Sequence, residues 1–329
     1  MIFALDFFLR RLSQGVVIVL LVALLIFTLL RIVPGDPVRI MLGPMTSPSV
    51  MEETAKRLGL RDPIPFQFGR YLLQVVHGDF GHSFIRSAQG GSTGGSRGQD
   101  TFDTANRASV SELIRNTLPY SLLLAGLGVL FSLIIAVPVG IAAGLNSGRW
   151  PDRVALYLSS VLVSLPNVWL GVVFILVFSA KTGWLPAIGY QGVSYAILPA
   201  LVLAVELAPV MIRSISVSIA SNLLENYVAV GQVRGLSRYR IITHHVLRNA
   251  SIPLLNLLGI QIVGMLLGGL FVVEYIFNYP GIGLLMINAV FQRDFPIIQA
   301  VGILACVVLV CINIIVDFAA TTIDRRLQY

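Results

Sequence analysis

The chain has 329 residues, 56% of them hydrophobic and only 12% charged, with 23 Lys+Arg against 16 Asp+Glu for a formal charge of +7. Soluble domains carry roughly 25% charged residues, so this composition, with a mean hydropathy of +0.84, excludes a soluble globular fold and also a disordered or collagen-like chain. Nor does the positive charge point to nucleic acid: there is no basic run of five residues, and the arginines gather at the ends of apolar stretches, where they face anionic lipid.

Uncharged gaps at 12–30, 116–148, 154–180, 182–205, 249–273 and 295–316 each approach or exceed the roughly 20 residues that a bilayer helix needs. They predict an all-α integral membrane protein with six spans. Residues 1–33 hold the first; Arg10 and Arg11 before Gly15–Leu30 look like a signal peptide, yet no small-x-small site follows, so an uncleaved span is expected. Residues 34–115 connect it to the second. Within them Val50–Leu60 and Phe66–Val76 have helical spacing, with Phe66, Tyr71, Leu72, Val75 and Val76 on one apolar side. Residues 87–109, with Gly90, Gly91, Gly94, Gly95 and Gly98 and almost no apolar side chains, predict a mobile insertion.

Residues 116–329 carry the other five spans. Segment 222–250 between the fourth and fifth is far longer than the roughly 2–8 residues a helix connection needs, which implies that something binds there. Its pattern is helix, break, helix: Leu223, Leu224, Tyr227 and Val228 recur near 3.6, Gly235 suits a left-handed cap, and Ser237 can cap a second helix with Ile241, Ile242 and Val246. Cys306 and Cys311 lie about 140° apart around one helix and cannot bond each other. By the positive-inside rule, Arg10 and Arg11, then Arg149 and Arg153, then Arg213, Arg234, Arg238, Arg240 and Arg248, then Arg325 and Arg326, put both termini and segment 222–250 in the cytoplasm.

The run Glu225-Asn-Tyr-Val-Ala-Val-Gly-Gln-Val-Arg-Gly235, followed by His245-Val-Leu-Arg-Asn-Ala-Ser-Ile-Pro253, resembles the "EAA" loop of ABC-importer permeases in the form used by the peptide, opine and nickel group. Val33-Pro-Gly-Asp-Pro37, His77-Gly-Asp-Phe-Gly-His-Ser83, Glu274-Tyr-Ile-Phe-Asn-Tyr-Pro-Gly-Ile-Gly283 and Arg293-Asp-Phe-Pro296 agree with it in the family order. The resemblance implies a B-type permease subunit of the bacterial inner membrane, with the type I importer fold. It implies as partners a second permease, two ATPase subunits that bind the ATP and Mg²⁺, and an extracytoplasmic solute-binding protein, with no cofactor in this chain. The ATPase-coupling candidates are then Glu225, Tyr227, Gly231, Arg234, Gly235, Arg248 and Asn249. Binding-protein contact candidates are Asp79, Glu274, Pro280, Gly281, Gly283, Arg293 and Asp294. Where relatives usually have Ala-Arg-Ala-Lys-Gly, this chain has Gly231-Gln232-Val233-Arg234-Gly235, one cation fewer. The substrate class that the resemblance implies is di- or oligopeptides, with nickel chelates, glutathione or opines as alternatives.

An enzyme would need a constellation that the chain lacks. There is no Gly-x-x-x-x-Gly-Lys-[Ser/Thr] loop, so ATP hydrolysis belongs to other subunits, and no His-Glu-x-x-His. Adjacent His244 and His245 point about 100° apart, and His77 and His82 are five apart, so neither pair makes a metal site. Glu206 is a carboxylate in mid-span, costly at about 3 kcal/mol. It is a candidate for the translocation path, together with Arg213 seven residues on, or for the coupling site of an ion-driven transporter; against the latter stands the long cytoplasmic segment.

Overall fold

The computed structural model describes residues 2–32, 37–42, 46–57, 59–87 and 107–323. Residues 33–36, most of the glycine-rich insertion (88–106) and the tail arginines Arg325 and Arg326 lie outside the described residues. In chain order the elements are α1 (Ile2–Ile32), α2 (Pro37–Leu42), α3 (Pro48–Arg57), α4 (Ile64–Val76), strands β1 (His82–Ser87) and β2 (Arg107–Ser109), α5 (Val110–Leu145), α6 (Trp150–Val163), α7 (Asn167–Phe174), α8 (Ser194–Leu223), α9 (Asn226–Val233), α10 (Arg238–Ile241), α11 (Leu247–Gly264), α12 (Leu270–Ile276), α13 (Ile282–Gln292) and α14 (Phe295–Ile323). Three wider π-helical segments, Ile175–Lys181, Ile242–Val246 and Met265–Gly269, follow α7, α10 and α11 without interrupting them. The chain divides into two compact units, one of Met1–Pro119 with Gly281–Val308, the other of Tyr120–Pro280 with Leu309–Tyr329.

Among the described residues five unbroken helical stretches are long and apolar enough to cross a bilayer: Leu9–Ile32, Val110–Leu145, Ser194–Leu223, Pro253–Ile276 and Phe295–Phe318. The expected third span, 154–180, is not straight. Its two parts, Trp150–Val163 and Asn167–Lys181, meet at 97°. The cause is Pro166, which lacks an N–H, fixes its own φ at −65° and keeps Leu165 from continuing the helix. The fourth span also moves: an irregular stretch occupies the start of gap 182–205, and α8 runs instead from Ser194 through Glu206 to Leu223.

The second unit is organised by the contact of α5 with α8. Small residues recur every fourth position on α5, Gly128, Ser132, Ala136, Gly140 and Gly144, and all five are buried. A Cβ on Gly128 would meet Leu203 at 2.9 Å, one on Gly140 would meet Ile215 at 2.7 Å, and one on Gly144 would meet Ile219 and the Ser216 carbonyl at 2.8 Å. The glycines therefore let two backbones approach closely, the means by which helices associate where lipid is as apolar as the side chains. Each of these pairs is 75 positions apart (128 to 203, 140 to 215, 144 to 219), so the two helices run side by side in the same direction. A chain that crosses twice in one direction must return in between. The bent pair α6–α7 is that return, and the spans number six.

Around α8 two apolar clusters stack along its length. Leu198, Leu203 and Leu207 pack with Leu124, Leu170, Met265, Val273 and Phe277; farther on, Ile212, Ile215 and Ile219 pack with Ala136, Ala143, Val228, Ile241 and Val246. Accordingly α8 is the most buried span, at 67% against 17–28% for the other four unbroken ones.

In the first unit Phe27 of α1 packs on Phe68 and Tyr71 of α4, with ring centroids at 5.5 and 5.6 Å. The inward side of α4 is thus Phe68, Tyr71, Leu72 and Val75, while Phe66 (70% exposed) and Val76 (81%) point outward. That corrects the expected apolar side by a rotation of the helix. The ends of the insertion are not loop: β1 and β2 pair antiparallel, His82 with Ser109 and Ser87 with Arg107. This ribbon is tied to the turn after α13. There Arg293 takes the left-handed conformation (φ 57°), and the Asp294 N–H donates to the Ala289 carbonyl at 2.8 Å. The buried Asp294 carboxylate then accepts from the Ser83 hydroxyl and, at 3.0 Å, from the Phe84 N–H. Arg107, the first residue of β2, donates to the Phe84 carbonyl across the ribbon.

Two outcomes are expected. Gly144→Val should push Ile219 and the Ser216 carbonyl away and cost about 1–3 kcal/mol, lowering the unfolding midpoint of the purified protein, whereas Gly126→Ala, which meets nothing within 4 Å, should leave it unchanged or raised. Burial raises the pKa of Asp294, against the hydrogen bonds from Ser83 and Phe84 that lower it. A raised carboxyl contributes stability that is fully present below the ordinary value of about 4 and is lost as pH rises through the folded value. Melting curves over that range should therefore show wild type losing stability with rising pH relative to Asp294→Asn, which keeps an acceptor and cannot ionise.

Candidate functional site

Segment 222–250 folds as the sequence pattern predicts, helix, break, helix. Glu225 occupies the N-cap position of α9 in extended conformation, with its carboxylate exposed near the positive end of the helix. The helix is closed by Gly235 at φ 75°; its N–H donates to the Gln232 carbonyl at 3.0 Å and the Leu236 N–H donates to the Gly231 carbonyl at 3.1 Å. Ser237 then caps α10, its hydroxyl accepting from the Arg240 N–H at 3.3 Å.

The segment has two sides. Val228, Ile241 and Val246 join the second apolar cluster on α8, and Gly231 is buried beside Ile241. Tyr227 also faces inward: its hydroxyl donates to the Asn222 side-chain oxygen at 2.8 Å, tying α9 to the end of α8, and its ring lies 6.5 Å from that of His245. A Cβ at Gly231 would touch Ile241 at an ordinary 3.4 Å, so the glycine that replaces the family's alanine is not required by packing. The other side is bare. Leu224, Val233 and Tyr239 are 88%, 89% and 77% exposed, and Arg234, Arg238, Arg240, Arg248 and Asn249 are exposed among them. Four cations and three large apolar side chains on a surface this small suit a protein partner better than water.

Glu206 lies in the middle of α8. Its Oε2 accepts from Nδ2 of Asn167 at 2.9 Å, and Asn167 is the first residue of α7, placed there by the break at Pro166. On its other flank stands Gly269, the last residue of a π-helical segment, where a Cβ would sit 2.8 Å from the carboxyl carbon of Glu206. The glycine leaves room for the carboxylate. Arg213 is exposed on the same helix, and no ion pair between it and Glu206 occurs among the described residues.

Of the binding-protein contact candidates, Glu274 and Asp294 have no exposed surface. Each is a correction: the side chains serve the chain's interior. Glu274 accepts from the Ser121 hydroxyl at 2.5 Å, beside rings of Tyr120, Tyr190 and Tyr279 whose centroids lie 4.9–6.3 Å apart. Asp294 holds the ribbon. Gly281 and Gly283 are buried as well and Pro280 half-buried, which leaves Asp79 and Arg293 exposed. Sequence reasoning missed Asn167, Ser121 and Ser83, the hydrogen-bond partners of Glu206, Glu274 and Asp294. Only Asn167 had a local signal, the proline before it in an otherwise unbroken apolar gap.

Comparison with known proteins addresses this arrangement directly. Residues 136–329 match the family described as binding-protein-dependent transport system inner membrane component, and residues 4–125 match the N-terminal component of the same transport systems. The glutathione transport system permease protein GsiC of Salmonella paratyphi A is 34% identical over 325 residues, 99% of both chains, and that of Escherichia coli K12 is 33% identical over the same coverage. Inward-facing structures of the MetNI methionine ABC transporter share the fold, with a TM-score of 0.55 at 18% identity over 65% of this chain and 97% of that one. With the six spans, the bare connecting segment and this full-length similarity together, the chain belongs to the binding-protein-dependent transport system inner membrane components, the permease subunits of ABC importers.

Proposed function

We propose that this permease pairs with a second, related permease to enclose a path for di- or oligopeptides, that its 222–250 segment docks on an ATPase subunit carrying the ATP and Mg²⁺, and that an extracytoplasmic binding protein delivers the substrate. The observation that carries the reading is the two-sided coupling segment. One side is built into the α8 core through Val228, Ile241 and Val246, and the other offers bare Leu224, Val233 and Tyr239 with four arginines. A short helix fixed at both ends to long membrane helices is a lever: displacement at its outer side passes to α8 and α11 without being absorbed in a flexible loop.

The substrate class is supported by the named function of the relatives, since glutathione is itself a small peptide. The arginines support the orientation: with six crossings both ends of the chain fall on one side, together with Arg149, Arg153 and the coupling segment. That side is the cytoplasm in this reading, and Asp79 and Arg293 remain as binding-protein contacts on the other.

Two experiments test it. Cysteine placed at Gln232 should react with a membrane-impermeant reagent only after the cytoplasmic face is opened, and cysteine at Asp79 should react from outside in intact cells; the reverse pattern would overturn the topology. Gly235→Val should abolish peptide uptake and substrate-stimulated ATPase while the membrane level of the subunit persists, because a β-branched residue is strained at φ 75°. Gly235→Asn, which tolerates that conformation, should retain most activity. Full uptake by Gly235→Val would remove the coupling role.

A further inference from the structure

One face of α8 is open in part. Along this helix Glu206 and Val210 are half-buried and Arg213 and Val217 exposed, and steps of four, three and four put the four on one side of the helix. It is the most buried of the unbroken spans, so a strip left open on it faces a protein-enclosed space or a partner subunit more readily than lipid, where a charge would cost about 3 kcal/mol. The strip carries one charge of each sign. Among the described residues the carboxylate at 206 has a neutral amide as its hydrogen-bond partner, Asn167, and no cation. Oε2 accepts that bond, and Oε1 is not among the sealed polar atoms. The amide and the missing Cβ of Gly269 fix the carboxylate's position without neutralising it.

Seven residues along a helix correspond to about 10 Å, and an extended peptide of three residues spans about the same at 3.3–3.6 Å per residue. We propose that Glu206 and Arg213 form a two-ended recognition track on α8, in which the Asn167-held carboxylate takes the primary ammonium of a zwitterionic peptide about three residues long and the Arg213 guanidinium takes its carboxylate. The inference rests on the peptide-permease reading and adds the features of the peptide that the membrane subunit itself selects: two free, oppositely charged ends at a set spacing. A metal chelate without such ends would gain nothing from it.

The test is uptake by the complete importer of trialanine, N-acetyl-trialanine and trialanine amide, in wild type, Glu206→Gln and Arg213→Gln. One binding protein serves all three versions, so its own selectivity cancels when the preference ratios are compared. The wild-type preference for trialanine over the acetylated form should shrink about tenfold in Glu206→Gln with the preference over the amide kept, and Arg213→Gln should show the mirror image, as expected for loss of one hydrogen bond to a charged group. If Glu206→Gln does not assemble, Asn167→Ala, which frees the carboxylate without removing it, should shift the acetyl preference in the same direction. Unchanged ratios in assembled variants overturn the track. So does a fall in complex yield or melting temperature with unchanged ratios, which would make Glu206 a structural contact to the partner permease. Absence of trialanine uptake by a wild-type complex with active ATPase would defeat the peptide reading and the track with it.

Discussion

Everything in the second unit depends on the close approach of α5 to α8. Between membrane helices the hydrophobic effect contributes little, because lipid tails solvate leucine as well as protein does. What holds them is dispersion at short range, and that requires backbones near each other. The four-residue repeat of small side chains on α5 provides the approach, and Leu203, Ile215 and Ile219 fill the resulting groove. With α8 fixed in this way, its other faces are free to receive α6, α7, α11 and α12, and its far end can serve as the anchor of the coupling segment.

The polar groups follow a common rule. Among the described residues Glu274 and Asp294 are fully buried and Glu206 is half-buried, and these acids accept from the neutral donors Ser121, Ser83 and Asn167 respectively. A neutral donor satisfies an oxygen without cancelling its charge. For Glu274 and Asp294 burial is complete and the bonds are architectural, joining segments 153 and 211 positions apart. Glu206 differs because it stands on an open strip, and its surroundings position it without enclosing it.

Much of this was legible in the sequence wherever the signal is local. Charge-free gaps reveal spans because a single charge in lipid is prohibitive, and Gly235 and Ser237 announce their caps because a left-handed turn and an N-cap each restrict residue type at one position. The break in the third span escaped the same reasoning, since Pro166 carries no charge and leaves the gap intact. On α4 the apolar pattern includes Phe66, Phe68, Tyr71, Leu72, Val75 and Val76, more than one face can hold, and only the position of Phe27 decides which are buried. Glu274 lies near the end of α12, six residues before Pro280, and Asp294 lies in the turn between α13 and α14, and a charge at either place looks like surface. Their partners are too distant in sequence for any spacing rule to find, and charge alone gave the wrong side.

The same-direction pairing of α5 with α8 also bears on how the protein is made. From the end of α5 at Leu145 to the end of α8 at Leu223 lie 78 residues, about 4–16 s of synthesis at 5–20 residues per second. For that interval the small-residue stripe is in the bilayer without the helix that fills it, and α6 and α7 must first turn back through the membrane. The α5 groove is thus a vacancy during biogenesis, open to the wrong helix or to a chaperone. A substitution that slows insertion of α8 would harm assembly even though the finished fold accommodates it.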